Sequence, residues 1–351
     1  KFNAVEIGEL SALMVATKII APNLAGWLAD HTGKSLRIIR ISSFFAAIIF
    51  AGFFHYNNYW WIAAVTVGFS FFWNIALPQF EAATLFHLKN EPHQYSKIRL
   101  WGSIGFIITV LGIGRIVDLF SIDYIPEIVI VLLTMIWLVS LITPEAKVEI
   151  KEKESGGVFK IIKQPEILAF FVVYMLLQLA HGPYYVFYSI YLNQFDYTPT
   201  FIGLLWALGV CAEVVLFIFM KQILAWVSLR NILLISIVLS ICRWLIIAFY
   251  VESAPLMIFA QVLHAATFGS SHVVAIHLVH KYFGEFHQGK GQALYSSLSF
   301  GLGGMIGSLY SGYFWDIYGP GFVYSMAAVS CFFAFVIAFI WVGRENRTLL
   351  S

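Results

Sequence analysis

Asn231 to Tyr250 reads NILLISIVLSICRWLIIAFY, twenty residues with a single charge, Arg243. A helix of about 20 residues is long enough to cross the hydrocarbon core of a bilayer. Lipid offers no partner to a backbone N–H or C=O, so such a run crosses as a helix, whose bonds close within the segment. Ten further apolar runs accompany it, at 5–28, 37–55, 59–86, 97–119, 123–143, 165–192, 200–220, 255–281, 291–313 and 321–342. They are continuous rather than alternating, which excludes a β-barrel. The reading is an all-α integral membrane protein with eleven visible spans. Composition agrees: 60% of the 351 residues are hydrophobic and 11% charged, where a soluble domain carries about 25% charged residues.

Net charge, +2, says little, but its distribution says more. Lys34, Arg37, Arg40, Lys89, Lys97, Lys147, Lys151, Lys153, Lys160 and Lys163 lie in or beside every second loop, and Lys221, Arg230, Lys281, Lys290, Arg344 and Arg347 continue the series. The intervening loops near Asn57, Asp123, Asp196, Glu252 and Asp316 hold no Lys or Arg. The positive-inside rule then places the first set, and the carboxyl end, in the cytoplasm. Cys211, Cys242 and Cys331 are scattered among spans, forming neither a disulfide framework nor a metal site, and are expected in the packed core. No metal, cofactor or nucleic acid is called for.

One long polar stretch, 143–163, has mixed charge and the pair Gly156-Gly157. It reads as a cytoplasmic tether, dividing the chain into an N-terminal bundle (1–143), a linker (144–162) and a C-terminal six-helix bundle (163–351). The two bundles echo one another. Ile7-Gly8 opens one span and Ile202-Gly203 another, each followed ten residues beyond its glycine by a charge, Lys18 or Glu213. Gly114-x-x-x-Asp118 is echoed by Gly312-x-x-x-Asp316. This is the pattern of a parallel repeat. A whole span, 165–192, precedes Ile202-Gly203 without a counterpart before Ile7-Gly8, so an intact arrangement of six plus six spans is expected.

Gly26-Trp-Leu-Ala-Asp30-His-Thr-Gly33-Lys34-Ser-Leu-Arg37 occupies the first basic loop. Gly26 would let helices approach closely, Gly33 would make the turn, and Asp30 would meet a helix dipole or a basic side chain. The loop resembles the signature loop of the major facilitator superfamily, with His31 and Ser35 where that superfamily usually has basic residues. The resemblance implies a two-bundle transporter fold.

Ionisable groups inside spans cost about 2.5–3.5 kcal/mol to insert and are functional candidates by default. Here they are Lys18, Glu81, Arg99, Glu213, Arg243 and His264. Glu81 and Arg99 are equidistant from Asn90, so they are expected at one level and able to pair. Glu213 and Arg243 are equidistant from Ser228, and Arg243 and His264 nearly so from Ser253, which predicts all three at one depth. Carboxylate, guanidinium and imidazole together suit proton coupling, because an approaching arginine can displace a carboxyl proton and imidazole titrates near neutrality. His272, eight residues after His264, shares its helix face. His181-Gly182-Pro183 is expected to break its span beside Tyr184, Tyr185 and Tyr188, forming an aromatic cavity wall. Gly303 and Gly307 are spaced for close helix packing.

Pro78-Gln-Phe-Glu81 and Tyr95-Ser-Lys-Ile-Arg99-Leu-Trp101-Gly102-Ser103 resemble the substrate helices of the lactose permease group, which implies substrate contact by Glu81, Arg99 and Trp101. Glu213, Arg243 and His264 fall where that group keeps its coupling residues, but Thr267 stands where the group's proton-carrying glutamate would be. The patterns Arg99-Leu-Trp-Gly-Ser103, Ala180-His181-x-x-Tyr184-Tyr185, Ala212-Glu213-Val214, Cys242-Arg243-Trp244 and Gln261-x-Leu-His264-x-x-Thr267-Phe268 are similar to the bacterial 3-phenylpropionate permease family. That resemblance implies a monomeric proton symporter of a small organic solute in a bacterial inner membrane. An anionic substrate would favour Arg99 as its partner; a sugar or nucleoside is the alternative cargo. A membrane-embedded enzyme or a ligand sensor would need larger polar loops or a fused soluble domain, and no G-x-x-x-x-G-K-[ST] loop supports ATP-driven transport.

Overall fold

The computed structural model describes residues 2–88, 95–145 and 158–343. Lys89, Asn90, most of the polar tether, Arg344, Arg347 and the side chain of Asp30 lie outside that description. Twelve helices follow in chain order: α1 Ala4–Thr32, α2 Ser35–Phe50, α3 Tyr59–His87, α4 Tyr95–Leu119, α5 Ile125–Ile142, the short α6 Val158–Ile162, α7 Pro165–Gln194, α8 Pro199–Trp226, α9 Leu229–Phe249, α10 Ala254–His264, α11 Ser270–Ser296 and α12 Gly304–Trp341. Two π-helical turns, Ala265–Gly269 and Ser297–Gly303, join α10 to α11 and α11 to α12. The long run 254–341 is interrupted where Gly284 (φ 60°) and Gly319 (φ 82°) leave helical geometry. Positive φ is open to glycine without steric cost, and the two breaks cut this run into three crossings.

Nine helical stretches of the described residues are apolar and long enough to cross a membrane, the last of which, His287–Trp341, contains the Gly319 break and crosses twice. With α1, 29 residues long but carrying Glu6, Glu9 and Lys18, the crossings number eleven. Trp226, Ile142 and Trp60 are at least 80% exposed, as apolar side chains facing lipid must be.

Local chemistry sets the ends. Asn3 and Glu6 form a reciprocal capping box at the start of α1, each accepting the other's backbone N–H at 2.9 Å. Gly33, at φ 65°, closes α1 with its N–H on Ala29 O. Asn58, Thr198 and Ser228 cap α3, α8 and α9 through Trp61, Phe201 and Asn231.

The two halves are packed unequally. The helices of 158–343 share one large core gathered around α7, most of whose length is buried. The first five spans hold three small clusters, and few side chains of α4 and α5 are buried. Apolar grooves run between α3 and α5, lined by Trp73, Phe80 and Met135, and between α4 and α5, lined by Phe120, Tyr124 and Val131.

Glycine joins the halves. A Cβ on Gly8 would stand 2.8 Å from Gly312 Cα, and one on Gly203 would stand 2.6 Å from Val110 O. One on Gly114 would meet Pro199 O at 2.7 Å. So α1 is pressed to the 285–318 span and α4 to α8, and the glycines of the two sequence echoes are the residues in contact. Asp118 seals the second seam by accepting from Thr200 N at 2.9 Å and from the Thr200 hydroxyl. Glu9 seals the first, accepting from Tyr59 and Tyr313 at 2.5 and 2.8 Å.

Candidate functional site

Residue positions in α7, α9 and α10 converge on Arg243, which is wholly buried. Its guanidinium carbon lies 4.3 Å from the Tyr184 ring centroid and 4.5 Å from that of Trp244. Nε donates to Ala260 O at 2.9 Å and one Nη to Thr267 Oγ1 at 3.4 Å. Ring faces and neutral oxygens therefore hold this cation, an arrangement strengthened by desolvation. Tyr184 in turn donates to Gln261 Oε1 at 2.8 Å. His181 sits edge-on to Trp244 at 4.9 Å and stacks on Tyr185 at 6.0 Å, with Nδ1 on Leu177 O at 2.7 Å. Tyr185 is half exposed and forms the accessible edge of this aromatic group. Five side-chain nitrogens here, in Arg243, Trp244, His181, Gln261 and His264, are buried without a hydrogen-bond partner among the described residues.

A ladder of rings descends from this cluster. His264 stacks on Phe268 at 5.3 Å, Phe268 on His272 at 6.0 Å, and His272 Nδ1 meets the Tyr295 hydroxyl at 3.0 Å. The four-residue step puts all three on one face, as expected for His264 and His272. A π-helical turn within the ladder, the kind of irregularity often found at functional sites, lies at Ala265–Gly269.

Glu213 forms no ion pair with Arg243, whose partners are rings and neutral oxygens. Glu213 packs against Gly269, where a Cβ would lie 3.1 Å from Glu213 Cγ, whereas His264 packs one turn earlier against Gly209. Arg243 contacts Ala260 and Thr267, on either side of His264, and Glu213 lies against Gly269, two residues beyond Thr267. Here α8 packs on α4 and α10, while α9 packs on α12, α11 and α10. Arg99 is contributed by α4, which packs on α8, the helix that carries Glu213.

Arg99 itself pairs with Glu81, Nε to Oε1 3.7 Å, with both side chains substantially exposed. This is the level pairing anticipated from their distances to Asn90. Trp101 is 71% exposed and joins neither partner.

Three expectations are corrected. Gly182-Pro183 does not break its span: α7 runs unbroken from Pro165 to Gln194. Pro183 leaves the Leu179 carbonyl without its helical donor, and that carbonyl faces Gly307, where a Cβ would lie 2.6 Å from it. Gly182 lies so close to Gly307 that its own Cβ would be 2.3 Å from the Gly307 carbonyl carbon. Close packing in place of a break explains the glycine beside the proline. Gly26 has nothing within 4 Å of a Cβ position, so it serves no close approach here, while Gly33 makes the expected turn. Cys211 and Cys242 are exposed, leaving Cys331 as the buried cysteine.

At the loop end of the first half, Lys34 precedes α2 and Arg37 is exposed. Arg40, read from sequence only as one of the cytoplasmic-side charges, donates to Ser140 O and Thr143 O at 3.0 and 2.9 Å. Arg230 does the same in the second half, donating to Val342 O and Phe339 O. Each arginine satisfies the orphan carbonyls at a helix end.

With eleven spans, paired glycine seams and buried charge in place, the comparison with known proteins is decisive. Residues 1–326 match the MFS_1 like family. The chain belongs to this major facilitator family. Relatives of this major facilitator chain include a probable 3-phenylpropionic acid transporter of Escherichia coli K12, 29% identical over 334 residues, covering 92% of this chain and 84% of that one. A maltose permease of Geobacillus stearothermophilus is 22% identical over 99% of this chain and 88% of its own length. Crystal structures of the nucleoside transporter NupG, one of them a point mutant, align with TM-scores of 0.81 and 0.85 at 20% identity, covering 97% of this chain and 90% of theirs. They establish the fold shared by this major facilitator protein.

Proposed function

We propose that the chain is a proton-coupled symporter of a small aromatic carboxylate, working by alternating access. The observation that carries the reading is Glu213: a half-buried carboxylate within a span, packed against Gly269 and held by no ion pair or hydrogen bond among the described residues. Arg99 and Glu213 belong to opposite sides of the α4–α8 seam, so any rocking of the halves changes their separation. A membrane carboxylate can travel neutral, as the acid, or as an anion beside a cation. Motion of Arg99 toward or away from Glu213 switches between the two and so links proton release to access. Residues 1–143 and 163–351 are the moving bundles, tethered by 144–162, with the Gly26–Arg37 loop steering them.

Substrate is assigned to Glu81, Arg99, Trp101, His181, Tyr184 and Tyr185, and coupling to Glu213, Arg243, His264 and His272. Tyr185, the exposed member of the ring cluster, supplies a face for an aromatic solute. The name of the Escherichia coli relative supports an aromatic acid as cargo. A sugar or nucleoside is the second reading, favoured by the neutralised Glu81–Arg99 pair, which offers a polyol both donors and acceptors. On this reading the protein works as a monomer in a bacterial inner membrane, with its carboxyl end in the cytoplasm.

The test is uptake into proteoliposomes under an imposed pH gradient, comparing 3-phenylpropionate, maltose and uridine. Gradient-driven accumulation of 3-phenylpropionate, abolished by a protonophore, is expected. Glu213→Gln should retain substrate exchange and lose accumulation; accumulation surviving that change removes Glu213 from coupling.

A further inference from the structure

Three cations stand deep in the spans, and their settings differ. Arg99 is neutralised by Glu81, and Arg243 is enclosed by rings and oxygens. Lys18 has neither arrangement: it is half-buried and has no ion-pair or hydrogen-bond partner among the described residues. It is also the central residue of α1, fourteen positions from either end.

Its direction follows from its neighbours. Thr17 bonds to Ser70 and Asn74 of α3, and Ala21 and Ala25 belong to the cluster with Ile75. Val15 and Ile19 lie against Gly304 and Gly301 of the second half. Ile20, Leu24 and Trp27 are exposed, which marks the lipid face. At about 100° per residue, Lys18 falls between the α3 line and the second-half line, roughly 160° from Ile20. The side chain therefore leaves α1 toward the interior between the halves. The polar groups nearest along those lines are neutral: Thr17 with Asn74, and Asn23 with Ser297. An ammonium there, at mid-span, has a charge that nothing on its own elements answers. Lysine presents a compact charge with three donors, suited to a single carboxylate.

We propose that Lys18 is the anchor for the carboxylate of the transported solute, which makes the cargo a small organic monoanion rather than a sugar or nucleoside. This rests on the transport reading above and deepens it. It also moves carboxylate recognition from Arg99, already paired, to a residue on a different helix.

The experiment measures binding to the purified full chain in lipid nanodiscs, by calorimetry, using 3-phenylpropionate and its neutral analogue 3-phenylpropionamide. Wild type should prefer the acid by about tenfold or more, one decade being 1.4 kcal/mol. Lys18→Gln should abolish that preference with amide affinity unchanged, and Lys18→Arg should keep most of it. The amide serves as the folding control; if the Gln variant loses both ligands, Lys18→Met is read in the same way. Acid binding unchanged in Lys18→Gln overturns the anchor while leaving the transport reading intact. Wild type that binds maltose or uridine but neither phenyl ligand, or that binds none of the four, overturns both.

Discussion

In the first half Arg99 meets a carboxylate at 3.7 Å with 56% of its side chain exposed; in the second, Arg243 is fully enclosed and meets only Tyr184, Trp244 and neutral oxygens. The surroundings differ in the same sense. Around Arg243 a single core is built on α7, whereas around Arg99 the helices are loosely gathered and α4 leans on α8 of the other half. A rigid half and a lax half, each with an arginine, suggest separate duties. The enclosed cation fixes geometry, and the exposed one is free to change partner as the seam moves.

The strongest way to break this contrast is to open the enclosure. Tyr184→Ala removes a ring from Arg243 and the donor to Gln261, and should cost about 3–5 kcal/mol, the range for deleting a large buried aromatic; reversible denaturation in micelles measures it. A loss below 1 kcal/mol would show that the rings do not hold the arginine. Arg243→Met comes next. Since no carboxylate is left unpaired, stability should stay within about 1 kcal/mol of wild type or rise, while transport should fall about 100-fold, equivalent to roughly 2.7 kcal/mol. A large stability loss without a transport defect would reverse the assignment.

The seams are sensitive to smaller changes. Gly203→Ala places a Cβ 2.6 Å from Val110 O, and overpacking of this kind costs about 1–3 kcal/mol. Part of that should appear as a parted seam, read by thiol labelling of a cysteine placed at Thr200. Gly26→Ala, with open space around it, should be neutral or stabilise by up to about 1 kcal/mol through helix propensity. The smallest effect belongs to Glu81→Gln. A largely exposed pair contributes about 0–1 kcal/mol, so a double-mutant cycle with Arg99→Met should give a coupling inside that range. A coupling of several kcal/mol would mean that Arg99 is as firmly held as Arg243.

Several of these features were legible in the sequence because rarity carries information in a membrane. Apolar runs marked every span, and the few charges marked the candidates. Counting from a loop paired Glu81 with Arg99, but it could not show that Arg243 is taken up by Tyr184, Trp244 and Ala260 O rather than by Glu213. Trp244, Gln261 and Phe268 escaped notice as site-formers: they are neutral, and their importance lies in what surrounds them. The Gly182-Pro183 step looked like a break because proline forfeits a helical bond; only Gly307, more than a hundred residues later, reveals a packing contact. The glycine echoes identified a repeat, but not that each echo presses against its opposite number's partner.

The dependence of α4 on α8 has a consequence for synthesis. Eighty residues separate the end of α4 at Leu119 from the start of α8 at Pro199, and at about 5–20 residues per second that is several seconds of translation. During that interval α4 has no α8 to lean on, and Arg99 has Glu81, already made, as its counter-charge. The ion pair that contributes so little to the finished protein would then act as an escort, keeping a charged helix in the bilayer until its partner is made. Glu81→Gln should accordingly lower the yield of inserted protein more than it lowers the stability of what is recovered, and equal losses in both would remove that role.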